Sequence, residues 1–277
     1  MNNECMTQSK RVKYGSHDKV TEMEDISIII PAWNEEERIE KTLKSYINSF
    51  KKDFTNFEVI VVTDGSEDAT FKIVERLSKK YDCIRHLHPN IKLGKGGAVI
   101  EGFKLASGDI IGFVDADCST SPADIKLLIE NLNDCDGVIA SRWINGSTVG
   151  KKQPFARRVA SRTFNLLVRT LFDFEFEDTQ CGAKFFRKDA IKSVIKELGL
   201  TDWAFDIDLL YRLHKKNYLI KEVPITWNDQ TGSRLNLGKT SIKMFFSVMG
   251  LKVKTSRLAF LAKSSIVKWL YKKLKSL

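Results

Sequence analysis

The chain has 277 residues, 43% of them hydrophobic, enough for one large domain or two small ones with a buried core. Its formal net charge of +10 comes from residues 238–277, which hold ten Lys or Arg and no Asp or Glu, without a motif that would indicate nucleic-acid binding. No run approaches the roughly 18 apolar residues of a membrane-spanning helix, and five scattered cysteines without a CxxC pair indicate a reducing compartment and argue against zinc.

Residues 1–25 are polar and lack the apolar centre of a signal peptide, so we expect a disordered N-terminal tail. After it, apolar runs alternate with helical patterns. The predicted strands and helices cover, in chain order, residues 26–33, 35–50, 57–64, 68–81, 84–88, 96–106 and 110–116. The strands show little polar alternation, as when both faces of a sheet are covered. This succession predicts the α/β class, with a mostly parallel sheet flanked by helices.

The second half of the chain continues with further elements and has no linker that would split the domain. They are a strand at 137–143, an arginine-rich helix at 155–172, a helix at 205–217 and a strand at 219–227. Residues 240–277 are predicted to form two amphipathic basic helices, which either pack on the domain or lie on a membrane surface. The predicted domains are therefore 26–237, the main folded domain, and 238–277, a basic tail.

Carboxylates follow three of the predicted strands. Asp115 and Asp117 end the strand at 110–116, while Asp64 and Glu35 end two others. Ligands of parallel sheets bind at this edge. A helix cap at Ser121 does not need the two aspartates beside it. Carboxylate oxygens next to a diphosphate are the usual ligands of Mg²⁺ or Mn²⁺, so Asp115 and Asp117 are candidate metal ligands.

Several motifs occur in order: SIIIPAWNEEERI, VIVVTDGSEDAT, GKGGAVIEGFKLASGDIIGFVDADCST, ASRW and DTQCGAKFFRKDA. In these motifs, over about residues 26–235, the chain resembles family-2 glycosyltransferases of GT-A fold. It looks most like the dolichyl-phosphate β-glucosyltransferase branch, which is related to dolichyl-phosphate mannose synthases. The resemblance implies a Rossmann-like GT-A domain that uses Mg²⁺ or Mn²⁺. It would move a sugar, most simply glucose from UDP-glucose, onto a polyprenyl or dolichyl phosphate.

The resemblance also implies roles for individual residues. Asp64 would bind the nucleobase, Lys95 would lie near the phosphates, and Asp115 and Asp117 would contact the ribose and the metal. The nucleotide-sugar site implied in this way consists of Pro31, Trp33, Glu35, Asp64, Lys95, Asp115, Asp117 and Gln180. Arg142 would hold the acceptor phosphate, with Arg157 or Arg158 as a second cation. The catalytic set implied is Asp117, Arg142, Asp178 and Asp206.

A lipid monophosphate is largely dianionic at neutral pH, so it can attack without a strong general base. We therefore expect in-line, inverting transfer that gives a β-linked product. Ser119 stands where mannose synthases often have Gln, and favours glucose over mannose from GDP-mannose. A transferase with a hydroxyl acceptor is an alternative that would need a general base, with Asp178 or Asp206 as candidates.

A third alternative is a non-catalytic membrane-binding scaffold, against which the intact carboxylate motifs argue. Interspersed aromatic residues, together with the ten cations of residues 238–277, predict that residues 240–277 attach the protein to a membrane surface. We expect a cytoplasmic protein that is peripheral on the cytosolic face.

Overall fold

Strands and helices alternate along the chain as predicted. The computed structural model describes residues 24–150, 155–199, 204–227 and 237–256. The strands within these ranges are β1 (Ile26–Ala32), β2 (Phe57–Thr63), β3 (Ile84–Leu87), β4 (Ile110–Phe113), β5 (Gly137–Ser141), β6 (Thr148–Val149), β7 (Lys184–Arg187), β8 (Ile220–Pro224) and β9 (Thr226–Trp227). The helices are α1 (Ile39–Asp53), α2 (Thr70–Lys80), α3 (Lys95–Leu105), α4 (Pro122–Glu130), α5 (Phe155–Phe172), α6 (Lys188–Val194), α7 (Phe205–Lys215) and α8 (Leu237–Thr255).

Seven strands form one sheet in the order β3-β2-β1-β4-β7-β5-β8. Neighbours from β3 to β4 are parallel, β7 runs antiparallel between β4 and β5, and β5 is parallel to β8. The mostly parallel α/β sheet is therefore confirmed. The strand predicted at 219–227 divides at Ile225, because β9 leaves the main sheet and pairs with β6.

Helices cover both faces of the sheet, which explains the continuous apolar strands. Ile28 and Ile30 of β1 face a core shared with Leu43 of α1, whereas Ile29 between them faces Val99 of α3. Helix α3 lies very close to β1, since a Cβ atom on Gly102 would come within 2.5 Å of Ile29 Cγ2. This close contact fixes where the amino end of α3 meets the carboxyl edge of the sheet.

The starts of helices α4 and α1 are set by residues next to their first turns. The cap at Ser121 is present, since Ser121 Oγ accepts a hydrogen bond from Asp124 N at 3.1 Å, and Pro122 opens α4. Helix α1 begins at Ile39 rather than at residue 35. Asn34 adopts a left-handed φ of 54°, and a turn intervenes in which Ile39 N donates to Glu35 O. Glu35 is thereby left at the sheet edge.

The basic C-terminal segment is described as far as residue 256. Val248 and Leu251 of α8 are buried in the same core as Val168 and Phe172 of α5. Phe245 and Phe246 are exposed. The prediction of two amphipathic helices is not confirmed, because one helix is described and residues 257–277 lie outside the described ranges, as do residues 1–23 of the predicted tail. No helix in the described ranges is long and apolar enough to cross a membrane.

Candidate active site

The strand order reverses between β1 and β4, two parallel neighbours from which the chain departs in opposite directions. Such a switch point opens a crevice at the carboxyl ends of the strands. Glu35 follows β1 at this edge, and Asp115 and Asp117 follow β4. These three carboxylates lie close enough at this edge to affect one another electrostatically.

The turn after β4 is held from beneath by α1. Cys118 adopts a left-handed φ of 59°, which turns the chain sharply after Asp117. Thr42 Oγ1 donates to Ala116 O at 2.9 Å, and Tyr46 donates its hydroxyl hydrogen to a backbone carbonyl further along the turn. These buried bonds fix the carboxylate-bearing turn to a rigid helix. Cys118 is therefore the residue at which the chain turns.

The carboxylates at this edge repel one another. Burial raises the pKa of Asp117, and Asp115 raises it further. Burial also raises the pKa of Glu35, against the opposing effect of Arg38, which forms a bidentate ion pair with it at 2.8 and 2.9 Å. Carboxylates that disfavour each other's charge suit a divalent cation.

The carboxylates at this edge fit a metal ion that takes its remaining ligands from the substrate and from water. The described residues contain no cluster of three or more His, Cys, Asp or Glu side chains able to hold an ion by itself. Mg²⁺ commonly takes one or two carboxylates together with phosphate oxygens and water. Asp117, whose Oδ1 accepts one hydrogen bond from Ser119 N at 2.9 Å, is suited to that role.

Asp115 is engaged differently. Its Oδ1 lies 2.7 Å from Lys95 Nζ, and Lys95 is the first residue of α3. Burial lowers the pKa of Lys95, but Asp115 and Asp206 raise it more, so it lies above its ordinary value. Gly182 packs against the same carboxylate, because a Cβ atom there would lie 1.8 Å from Asp115 Oδ2. The close approach of Gly182 was not predicted, since it depends on antiparallel pairing of β7 with β4.

Asp64 shapes the neighbouring loop. Its two carboxylate oxygens accept hydrogen bonds from Leu93 N at 2.5 Å and Gly94 N at 2.8 Å. The side chain therefore holds the glycine-rich loop that leads to Lys95, and each oxygen keeps a second lone pair for a ligand. Trp33 is half-exposed, with Lys92 Nζ 3.9 Å from its ring centroid. Pro31 is the penultimate residue of β1.

Arg142 and Asp178 form a buried clamp on the other side of β4. Arg142 Nε donates to Asp178 Oδ2 at 2.7 Å, and its Nη2 donates to Oδ1 at 2.9 Å. Glu222 of β8 holds the loop from below by accepting hydrogen bonds from the backbone N–H groups of Glu177 and Asp178. Burial lowers the pKa of Arg142, but Asp178 raises it more, so the guanidinium is fully charged. No sequence motif indicates this role of Glu222, because it depends on the pairing of β8 with β5.

Other arginines of the predicted acceptor side lie on α5. The Arg162 guanidinium lies 4.4 Å from the ring centroid of Trp143, which follows Arg142. Arg158 is half-buried, while the side chain of Arg157 lies outside the described part of the structure. Gln180 is half-buried and donates its backbone N–H to Asp178 Oδ1 at 3.3 Å. Burial raises the pKa of Cys181 to about 12, so its thiol is not a nucleophile.

Asp206 is buried inside the domain and is not exposed at the sheet edge. Its side chain is buried at the start of α7, and Oδ1 accepts a hydrogen bond from Lys184 Nζ at 2.5 Å. Lys184 of β7 is itself fully buried and also donates to Cys181 O at 2.5 Å. This pair was not predicted as such, because Lys184 had no distinguishing pattern in the sequence.

The fold is the GT-A fold of glycosyltransferases, as expected. Solved structures with the same architecture include glucosyl-3-phosphoglycerate synthase from Mycobacterium tuberculosis, in complex with Mn²⁺, UDP and phosphoglyceric acid. That structure matches with a TM-score of 0.64 and 21% identity, over 84% of this chain and 80% of that chain. At this identity the likeness shows the fold.

The family is shown by sequence. The model of glycosyl transferase family 2 matches residues 27–195, and the chain belongs to this family. Dolichyl-phosphate beta-glucosyltransferase of Dictyostelium discoideum is 32% identical over 82% of this chain and 73% of that protein. The Homo sapiens protein of the same name is 33% identical, over 76% of this chain and 69% of that protein. Glycosyltransferase AglD of Haloferax volcanii is 30% identical over 79% of this chain, which spans 36% of that longer protein.

Proposed function

We propose that this family-2 glycosyltransferase transfers glucose from UDP-glucose onto a dolichyl or other polyprenyl phosphate. The observation that carries the proposal is the pairing of two sites at one sheet edge. Carboxylates after β1 and β4 suit a metal-bound nucleoside diphosphate, and the Arg142–Asp178 clamp beside them suits a phosphate acceptor. The names of relatives that match most of the chain at 30–33% identity support this acceptor and this sugar.

The donor would lie along the edge from β2 to β4. Asp64 and the loop it holds, together with Trp33, form the base and ribose end of this site. Lys95 supplies positive charge near the diphosphate, reinforced by the positive end of the α3 dipole. Asp117, with Asp115, would hold Mg²⁺ or Mn²⁺. When bound, such an ion would neutralise charge on the departing diphosphate.

The acceptor would approach from the Arg142 side. A guanidinium offers five N–H donors, of which Asp178 takes two, leaving others to hold phosphate oxygens. Asp178 fixes the orientation of this fork, and Arg158 is a second candidate cation. A phosphate dianion needs no proton removed before it attacks, so alignment is the main task of these residues. In-line attack on an α-linked sugar nucleotide then gives a β-linked product.

The protein would meet its lipid acceptor at a membrane surface on the cytosolic face. Residues 238–277 carry ten cations and no anions, which favours contact with anionic lipid. Phe245 and Phe246, exposed on α8, suit insertion at the interface, while Val248 and Leu251 anchor the helix to the domain.

A donor and acceptor panel tests the proposal. UDP-glucose and GDP-mannose are each incubated with dolichyl phosphate, a shorter polyprenyl phosphate, or phosphoglyceric acid, with Mn²⁺, Mg²⁺ or chelator. We expect transfer from UDP-glucose to the lipid phosphates only in the presence of a divalent ion. Preference for GDP-mannose would refute the sugar assignment, and transfer only to a hydroxyl acceptor would refute the lipid phosphate.

A further inference from the structure

One short segment connects the donor and acceptor halves of this site. Asp178, at its beginning, orients Arg142 on the acceptor side. Gly182, four residues later, packs against Asp115 on the donor side. The segment enters β7 at Lys184, so residues 178–184 carry both functional contacts within five consecutive residues. Any shift of this segment would change the spacing between the two substrates.

Lys184 ties the segment to α7. Its Nζ donates to Cys181 O within the segment and to Asp206 Oδ1 on α7, both at 2.5 Å. The side chain is fully buried and lies above the ring of Phe113, 5.3 Å from the centroid. Burying an ammonium group carries a large desolvation cost, and apolar replacements of buried ion pairs are often as stable. Stability alone therefore does not account for a lysine here.

The pair continues toward the donor site. Asp206, which accepts from Lys184, also acts electrostatically on Lys95, and Lys95 forms an ion pair with Asp115 at 2.7 Å. Positive and negative side chains thus alternate from the centre of the segment to the carboxyl edge of the sheet, in the order Lys184, Asp206, Lys95 and Asp115. Through Asp206, Lys184 affects the donor site electrostatically, and through Cys181 O it holds the segment that bears Gly182 and Asp178.

We propose that Lys184 is a positioning residue that sets the spacing between the donor and acceptor sites by fastening residues 178–184 to α7. The inference rests on the proposed function for the identity of the two substrates. Lys184 touches neither substrate. Its loss lets the segment move, so that Gly182 and Asp178 no longer place Asp115 and Arg142 together.

The test removes both charges of the pair at once. The double variant Lys184→Met with Asp206→Asn leaves no unpaired buried charge, so it is expected to fold. The matched control is Arg212→Met with Asp208→Asn, a pair on the same helix in which Asp208 is buried, Arg212 is half-buried and the Nε–Oδ1 distance is 2.7 Å. Steady-state kcat, KM for each substrate and melting temperature are measured for both double variants.

We expect kcat of the Lys184 double variant to fall roughly 100-fold, as for a misplacement of about 1 Å. The control is expected to lose melting temperature while keeping kcat. Lys184→Arg keeps the charge but not the two short contacts, and is expected to lose about 10-fold in kcat. Equal losses of kcat in both double variants would overturn the proposal. So would an inactive double variant beside a fully active Lys184→Arg, which would assign the effect to Asp206 alone.

Failure of the proposed function is distinguishable. If the wild type transfers sugar to no lipid phosphate, the acceptor assignment fails. Lys184 is then tested by calorimetric affinity for UDP with Mn²⁺, which should weaken in its double variant and not in the control. Unchanged UDP affinity in that case would refute the positioning role as well.

Discussion

Replacement of Gly182 by alanine tests the geometry of the donor site at a single atom. The added Cβ would lie 1.8 Å from Asp115 Oδ2 and 2.4 Å from its Cγ, far inside any tolerated contact. Asp115 is a short side chain whose other oxygen is held by Lys95 at 2.7 Å, so it cannot simply swing away. Relief requires either a rotated carboxylate or a displaced segment, and the ion pair with Lys95 is strained in both.

The size of the effect follows from these contacts. Inserting one methyl group into a closely packed site costs about 1–3 kcal/mol of folding stability. A displacement of the Asp115 carboxylate by about 1 Å is expected to lower kcat/KM for the nucleotide sugar roughly 100-fold. The loss in activity should therefore exceed what the modest loss in stability explains.

The assay compares Gly182→Ala with Gly199→Ala, measuring sugar transfer, UDP affinity and urea unfolding. A Cβ on Gly199 meets nothing within 4 Å, so this control should keep full activity. Wild-type kcat/KM in Gly182→Ala would refute the reasoning, because it would mean that Asp115 need not occupy its observed position.

Three further changes probe other parts of the account. Arg142→Lys replaces the bidentate pair with Asp178 by a point contact, and the KM for lipid phosphate should rise about 10-fold; an unchanged KM would exclude Arg142 from the acceptor site. Ser121→Ala removes the cap of α4 and should lower unfolding free energy by about 1 kcal/mol with no loss of kcat, measured by urea titration. Burial raises the pKa of Glu58, but hydrogen bonds from Ser107, Ser27 and Arg85 outweigh it and lower the value overall. Because a lowered pKa stabilises the fold above the unfolded-state value, Glu58→Gln should cost about 1–3 kcal/mol at neutral pH. The difference should shrink as pH falls through the pKa of the folded state, and a difference that persists under acid conditions would contradict this sign.

Residues next to strand ends could be predicted from the sequence because local order determines them. Asp115 and Asp117 had to leave the sheet where β4 ends, and parallel pairing brings Glu35 to the same edge. The start of α4 was predictable from Ser121 and its neighbours, since a cap depends on residues three positions apart. These features depend on short segments and on the general rule for parallel sheets.

Residues that act across the sheet could not be predicted in the same way. Gly182, Lys184 and Glu222 reach their partners only because β7 enters antiparallel between β4 and β5, with β8 alongside. No periodicity in the sequence indicates that insertion. Similarly, the resemblance assigned Arg142 to the acceptor phosphate, but the bidentate bond by which Asp178 orients it became visible only in three dimensions.

The central claim is tested most directly by following radiolabelled glucose from UDP-glucose into a solvent-extractable lipid. Wild type and Asp117→Asn are compared with dolichyl phosphate, with and without Mn²⁺. We expect a β-linked glucosyl lipid from the wild type with Mn²⁺, and at least a roughly 100-fold lower rate from the variant. Equal, metal-independent labelling of the lipid by both proteins would contradict the assignment of Asp117 and with it the proposed donor site.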